Sequence, residues 1–327
     1  MTVRMIDITS KEPVYREAIA TGFLRVDEDT MSDLMKVGIS GLGNAAAIAK
    51  VTAINATKTA WKYIPLLHPV PITYIETRVH YEKNGIRMAV LARTRAQTGV
   101  EMDALFGLFT GLLAAWNTIK GCSRTCTPEW VTNFMGKQVQ TCGSSRVDGM
   151  FDIRVVSKVK SEEGVNLSLS NFEDNTGGEP VVTMFDVTTE PTYYGEASAK
   201  GFIRLRDSTV ELIRQGRVEK GDVITVAKAA SIMATKKAWE ILPLVHLNYI
   251  TYVNADVKVV EDGAEVSVDT RNVSNTGSAM EAVFAVGVGL LAIWDMIKKY
   301  EKDENGQYPY TMIKEIKVLK ALKTPAV

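Results

Sequence analysis

Two stretches far apart in the chain alternate apolar and polar positions in the same way. They are "ITYIETRVHYEK" continuing into "IRMAVLARTRA", and "ITYVNADVKVVE" continuing into "AEVSVDTRNV". Period two over such lengths predicts strands. A turn dipeptide divides each stretch, Asn84-Gly85 in one and Asp262-Gly263 in the other, which predicts a hairpin with a type I′ turn. Ahead of each hairpin lies a helical pattern, "LGNAAAIAKVTAINATKTAWKYIPLLH" from Leu42 to His68 and "KGDVITVAKAASIMATKKAWEILPLVH" from Lys220 to His246. Asn44 and Asp222 are their N-cap candidates. A shorter helix is predicted before each, over Thr30–Lys36 and Thr209–Arg214. After each hairpin comes a very apolar helix, Glu101–Lys120 or Met280–Lys298, and then a final strand. That order predicts an α+β fold built twice: two tandem domains, each an antiparallel sheet with helices on one face.

The duplication keeps its register over long distances. Trp61 matches Trp239, His68 matches His246, Gly99 matches Gly277, Trp116 matches Trp294 and Lys120 matches Lys298, all at one separation. Asp7 matches Asp186 after a one-residue slip. A repeat this long means two whole domains and not a solenoid. The final strands match as "FDIRVVSKVK" (Phe151–Lys160) and "KEIKVLKALK" (Lys314–Lys323). The expected organisation is a first domain over 1–160 carrying an insertion at about 121–150, a polar linker over 161–180 with room for one short strand, and a second domain over 181–327.

Composition narrows the function classes. The 38 basic residues balance the 38 acidic ones, so no bulk positive field draws nucleic acid or an anionic membrane, and a polyanion would need a local basic cluster. The longest apolar stretches, Leu105–Trp116 and Ala282–Trp294, fall short of the roughly 20 residues that span a bilayer and read as buried helices. The N-terminal "MTVRMIDITSKEP" has no secretory apolar core, so the cytoplasm is the expected compartment. Cys122, Cys126 and Cys142 all fall in the insertion. Three thiols make no disulfide framework, and no fourth ligand stands nearby at metal-site spacing.

Several motifs occur in a fixed order: "MIDITSK" (Met5–Lys11), "YREA" (Tyr15–Ala18), "IPLLHP" (Ile64–Pro69), "TGVEMDAL" (Thr98–Leu105), "KGDV" (Lys220–Val223) and "WDMIKK" (Trp294–Lys299). Together they resemble the molybdenum-cofactor biosynthesis protein C family, cyclic pyranopterin monophosphate synthase, over most of both halves. The chain looks like a head-to-tail fusion of two such domains. The resemblance implies a ferredoxin-like fold and a homo-oligomer, here three fused chains equivalent to the family hexamer. It also implies an active pocket between partner domains and a small-molecule substrate, 3′,8-cyclo-7,8-dihydro-GTP. That substrate would be rearranged to the cyclic pterin with release of pyrophosphate. No cofactor is implied beyond a divalent cation on the substrate phosphates, and neither nucleic acid nor membrane is an expected partner.

Such chemistry needs cations for a triphosphate and acids and bases to move protons; clustered or half-buried lysines serve both. The first copy matches the family at Lys11, Arg16, His68, Glu101, Lys120 and Lys158, with Asp103 replacing a glutamate. It departs at Leu42, Asn44 and Asn117, where Lys, Asp and Asp are expected. The second copy matches at Lys220, Asp222, His246, Glu281, Asp295 and Lys298. It departs at Glu190, Gly195, Ala279 and Ala321, where Lys, Arg, Glu and Lys are expected. The departures are complementary. The expectation is one working composite site, in which Lys220 and Asp222 face Glu101, Asp103, Lys120 and Lys158. Lys220 and Lys120 would be its acid/base pair, Lys11, Arg16 and Lys158 its phosphate ligands, and Asn117 its weak point, since an amide carries no proton. The alternatives are a non-catalytic paralogue that binds a purine nucleotide or pterin, and an enzyme for a different nucleoside triphosphate.

Simpler readings stand beside these. Glu101 and Glu281 complete capping boxes begun by Thr98 and Ser278. Asp295 and Lys298 form an i, i+3 surface ion pair. The histidines pack in the core, as do Trp61, Trp116, Trp239 and Trp294.

Overall fold

A computed structural model of the chain describes residues 3–37, 44–120, 129–132, 138–141, 147–162, 167–176, 184, 187 and 190–325. Leu42 and the three cysteines lie outside them. The first half runs β1 (Val14–Val26), α1 (Glu28–Val37), α2 (Ala45–Thr59), β2 (Ile72–Glu82), β3 (Gly85–Ala96), α3 (Glu101–Lys120) and, after the short strands β4 (Glu129–Thr132) and β5 (Gln138–Thr141), β6 (Val147–Ser161). The second half repeats the plan as β7 (Tyr193–Arg204), α4 (Asp207–Arg214), α5 (Val223–Thr235), the single turn α6 (Ala238–Ile241), β8 (Ile250–Val260), β9 (Gly263–Ser274), α7 (Ala279–Ile297) and β10 (Met312–Pro325). Each half is ferredoxin-like.

The halves do not stand apart. Their final strands pair, so one antiparallel sheet runs β2-β3-β1-β6-β10-β7-β9-β8 through the whole chain. At the seam Ile153 lies opposite Ile313 and Met150 opposite Ile316. The repeat equates Ile153 with Ile316 and Met150 with Ile313, so this register is that of a two-fold axis through the seam. Asn44 and Asp222 cap α2 and α5 as predicted, their side chains accepting from Ala47 N at 2.9 Å and Ile224 N at 3.0 Å.

On one face of the sheet α3 and α7 pack under α2 and α5, and their side chains merge with both half-sheets into one core. The apolar helices are longer than their apolar cores suggested, 20 and 19 residues, enough by length and hydropathy to cross a membrane. Their windows are 94% and 100% buried within the fold, which accounts for that composition without a bilayer. On the opposite face, residues 167–172 cover the first half-sheet: Leu167, Leu169 and Phe172 pack on Ile19, Ala89 and Leu91. Apart from Ser161, which ends β6, no strand forms among the described residues of the linker.

Three local expectations need correction. The hairpin loops are Lys83–Asn84 and Glu261–Asp262, one residue earlier than the dipeptides. Neither turn is type I′, because Asp152 is the only non-glycine with positive φ among the described residues. Gly85 and Gly263 instead open the next strand, where a Cβ would lie 2.2 Å from Leu24 O and 2.0 Å from Ile203 O. Trp116 and Trp294 are core, but Trp61 and Trp239 are 42% and 44% exposed. Neither capping box forms: α3 begins at Glu101 itself, and the Ser278 hydroxyl meets Thr270 Oγ1 at 2.8 Å instead of capping α7.

Candidate active site

The two-fold brings the first turn of α3 against the last turn of α7, and a cavity of about 530 Å³ opens there. The first half lines it with Ile6, Ile8 and Lys11 from the N-terminal segment, Arg16 from the start of β1, His68, the turn Gln97–Gly99, Glu101, and Lys158 and Lys160 from β6. The second half adds Glu219 and Lys220 from the loop before α5, Asp295, Met296 and Lys298 from α7, and Lys299 and Lys302 beyond it. Eight lysine or arginine side chains face three carboxylates. The cations gathered at the end of α7 and the acids at the start of α3 both suit the helix dipoles. A chain that is neutral overall thus concentrates positive charge in one concave place.

Two ion clusters organise the walls. In the first, Lys220, 7% exposed, donates from Nζ to Asp295 Oδ2 at 2.5 Å and to the Asp295 carbonyl at 2.9 Å. Lys298 Nζ lies 3.0 Å from Asp295 Oδ1. Burial pushes the Lys220 ammonium down, with Asp295 opposing. Burial acts the same way on Lys298, but Asp295 and Glu101 outweigh it and hold that ammonium above its ordinary value. The two lysines that share Asp295 are therefore shifted in opposite directions.

In the second cluster, Glu101 Oε1 accepts from Lys158 Nζ at 2.9 Å and from the Tyr308 hydroxyl at 3.0 Å, with Lys302 Nζ 3.6 Å away. Burial alone would raise the Glu101 carboxyl. Lys158, Lys298 and Lys302 more than offset it, and Glu101 stays ionised well below the usual range. Lys302 is pushed down to about 8 by burial, against the pull of Glu101. Asp103, in the first turn of α3, goes the other way: burial, reinforced by Glu101, raises it well above a normal carboxyl. Its Oδ2 has no hydrogen-bond partner. Burial lowers His68, and the nearby Lys298 and Lys220 lower it further.

Lys220 owes its position to the backbone. Gly221 has φ +108°, a conformation that side-chain-bearing residues avoid, and it turns the chain into α5 directly after the lysine. Asp222 then spends its carboxylate on Ile224 N, Thr225 N and the Thr225 hydroxyl. It is a helix cap outside the cavity wall.

Of the residues singled out from sequence, Lys11, Arg16, His68, Glu101, Lys158, Lys220, Asp295 and Lys298 share the cavity. Asp103 lies just behind it. Lys120 and Asn117 do not join them. They stand at the far end of the helix that Glu101 begins, and 20 residues of α-helix span about 30 Å. Lys120 instead acts on the buried Glu281, the counterpart of Asp103, whose carboxyl burial pushes up to about 7. His246, the counterpart of His68, is likewise absent from the cavity lining. The expected grouping is therefore corrected: Lys298 takes the place assigned to Lys120, and Asn117 belongs to the reciprocal, depleted set with Asn44, Ala279 and Glu281.

Sequence reasoning missed the segment that follows α7. The Gln307 side chain pairs with the Lys158 backbone, accepting from its N at 3.1 Å and donating to its O at 2.9 Å. Tyr308 lies under Lys158 and Lys302 with ring centroids 5.4 and 5.8 Å from their Nζ atoms. "DENGQYPY" had no counterpart in the first copy to be read against. The signal was its position, directly after the "WDMIKK" helix end.

A duplicated ferredoxin-like chain with a cationic cleft between its halves is the class that fold and site define. The family comparison is more specific. The MoaC family model matches residues 5–136 and again 184–323, so the chain belongs to the MoaC family, twice over. A probable cyclic pyranopterin monophosphate synthase of Saccharolobus solfataricus is 49% identical over 140 residues, 43% of this chain and 94% of that protein. A Pyrococcus furiosus protein of the same name is 46% identical over 145 residues, 44% of this chain and 93% of its own length. A probable cyclic pyranopterin monophosphate synthase accessory protein of Methanothermobacter thermautotrophicus is 44% identical over 145 residues, 44% of this chain and 91% of its own. Each relative corresponds to about one half of the chain.

Proposed function

We propose that the chain is a lyase of the cyclic pyranopterin monophosphate synthase type, acting in molybdenum cofactor biosynthesis in the cytoplasm. It would convert 3′,8-cyclo-7,8-dihydro-GTP to cyclic pyranopterin monophosphate and release pyrophosphate at one composite site. The observation that carries this reading is the lining of the cavity, eight cations to three carboxylates, drawn from both halves. Lys11, Arg16, Lys158 and Lys302 would hold the phosphates and any divalent cation they bring. Lys220, whose ammonium is destabilised by burial, would take a proton, and Lys298, held charged by Asp295 and Glu101, would donate one. Glu101 would orient the purine and ribose.

A second reading, binding without turnover, is favoured by the accessory-protein name of the Methanothermobacter relative. An assay with the cyclised GTP intermediate separates the two. The lyase reading expects pterin product from the wild-type chain and its loss, by about a thousandfold or more, in Lys220→Ala with the fold retained. Tight binding of the intermediate with no product from the wild type would replace the first reading with the second.

A further inference from the structure

The two-fold between the halves passes through an aromatic cluster. Phe106 and its repeat counterpart Phe284 face each other there, ring centroids 6.2 Å apart. One turn along, symmetry fails. Phe109 stacks on Phe284 at 6.1 Å, with planes 12° apart, and its ring lies on Gly287. A Cβ at Gly287 would be 2.0 Å from Phe109 Cζ and within 2.6 Å of two further ring carbons. Gly287 is the repeat counterpart of Phe109 itself, so the knob and its hole occupy equivalent positions in the two halves. Tyr63 adds to the asymmetry: it stacks on Phe106 at 5.1 Å and meets Phe284 edge-on at 5.6 Å, while its counterpart is Ile241.

A residue beside a two-fold axis meets its own copy when two identical domains pair. Two first halves paired this way would drive Phe109 into Phe109, in a core already packed solid. Two second halves would leave the space of a phenyl ring empty between two glycines. Only the mixed pair fills the crossing. The cavity described above needs the same mixed pair, since Glu101 and Lys158 come from a first half and Lys220, Asp295 and Lys298 from a second.

We propose that Phe109 and Gly287 are a pairing code: the α3 face of a first half accepts the α7 face of a second half, in its own chain or another copy, and rejects another first half. Fusion alone keeps the halves close; the code decides which faces meet, and so secures the arrangement that builds the site.

Four full-length chains test this by thermal unfolding: wild type, Gly287→Phe, Phe109→Gly, and the double exchange Phe109→Gly/Gly287→Phe. The two chains with unlike residues, wild type and exchange, are expected to melt close together. The two with like residues are expected to melt lower by about 5 °C or more, or to fail to fold. If Gly287→Phe does not fold, the exchange still decides, because it carries the same phenylalanine opposite glycine. An exchange that melts as low as the worse single variant, or a Gly287→Phe chain that melts with the wild type, overturns the proposal. Neither readout depends on the reaction proposed above.

Discussion

Lys302 lies 3.6 Å from Glu101 in the wall of the cavity, where burial brings its charge change near neutral pH. Its ammonium is held at about 8, so the cavity loses a positive charge as pH rises through that value. A triphosphate binds the charged form more tightly, so its affinity should fall by roughly five- to tenfold between pH 7 and 9. In Lys302→Arg, whose guanidinium stays charged over that range, the fall should vanish. Titration calorimetry with GTP at several pH values checks both statements, and a flat wild-type profile would remove Lys302 from the binding account. At this scale the sequence was informative wherever the copies differed: Lys220 stood out because its sister position is Leu42, and it proved to be a buried lysine in the cavity. Lys120 and Asn117 were misgrouped because matching residues to a family pattern ignores helix length. Glu101 and Lys120 cannot reach one small ligand from opposite ends of α3, and that could have been read from their spacing alone.

The elements explain what the sequence hid. The strands β1 and β7, central in their half-sheets, went unread. β1 is covered by helices on one face and by residues 167–172 on the other, so "EAIATGFL" is buried throughout and shows no alternation. β7 does alternate in burial, but four of its five inward positions, Gly195, Ala197, Ala199 and Gly201, are too small to register as an apolar stripe, and only Ile203 is large. The hairpins were legible from their period-two alternation and turn dipeptides, and the long helices from their unbroken apolar runs. The segment after α7 was not, because it acts on the other half: Gln307 holds the Lys158 backbone and Tyr308 holds Glu101. Tyr308→Phe removes one hydrogen bond to an ionised carboxylate in a dry site, worth about 1–2 kcal/mol, and should slow turnover roughly tenfold. If the role is to position Glu101, the loss should fall on kcat more than on KM. A loss confined to KM would show that Tyr308 contacts substrate instead.

On the scale of the whole molecule, the two halves share one symmetric plan but carry unequal residue sets at its two equivalent places. One keeps Lys220, Asp295 and Lys298 opposite Glu101 and Lys158. The equivalent positions of the other set are Asn44, Asn117 and Lys120 with Ala279 and Glu281, of which Lys120 acts on Glu281. The crossing at Phe109 and Gly287 shows the same inequality in the core. The sheet that joins β6 to β10 makes the pair one body and brings residues distant in sequence to one cavity, while each half matches the family model by itself.

The number of ligands bound per chain addresses the composite site most directly. Calorimetric titration of the full-length protein with the cyclised GTP intermediate, at a pH below 8, should return one site per chain. That site should be lost alike in Lys220→Met and Glu101→Gln, although the two residues belong to different halves. Two sites per chain, or a site that survives either substitution undiminished, would contradict it.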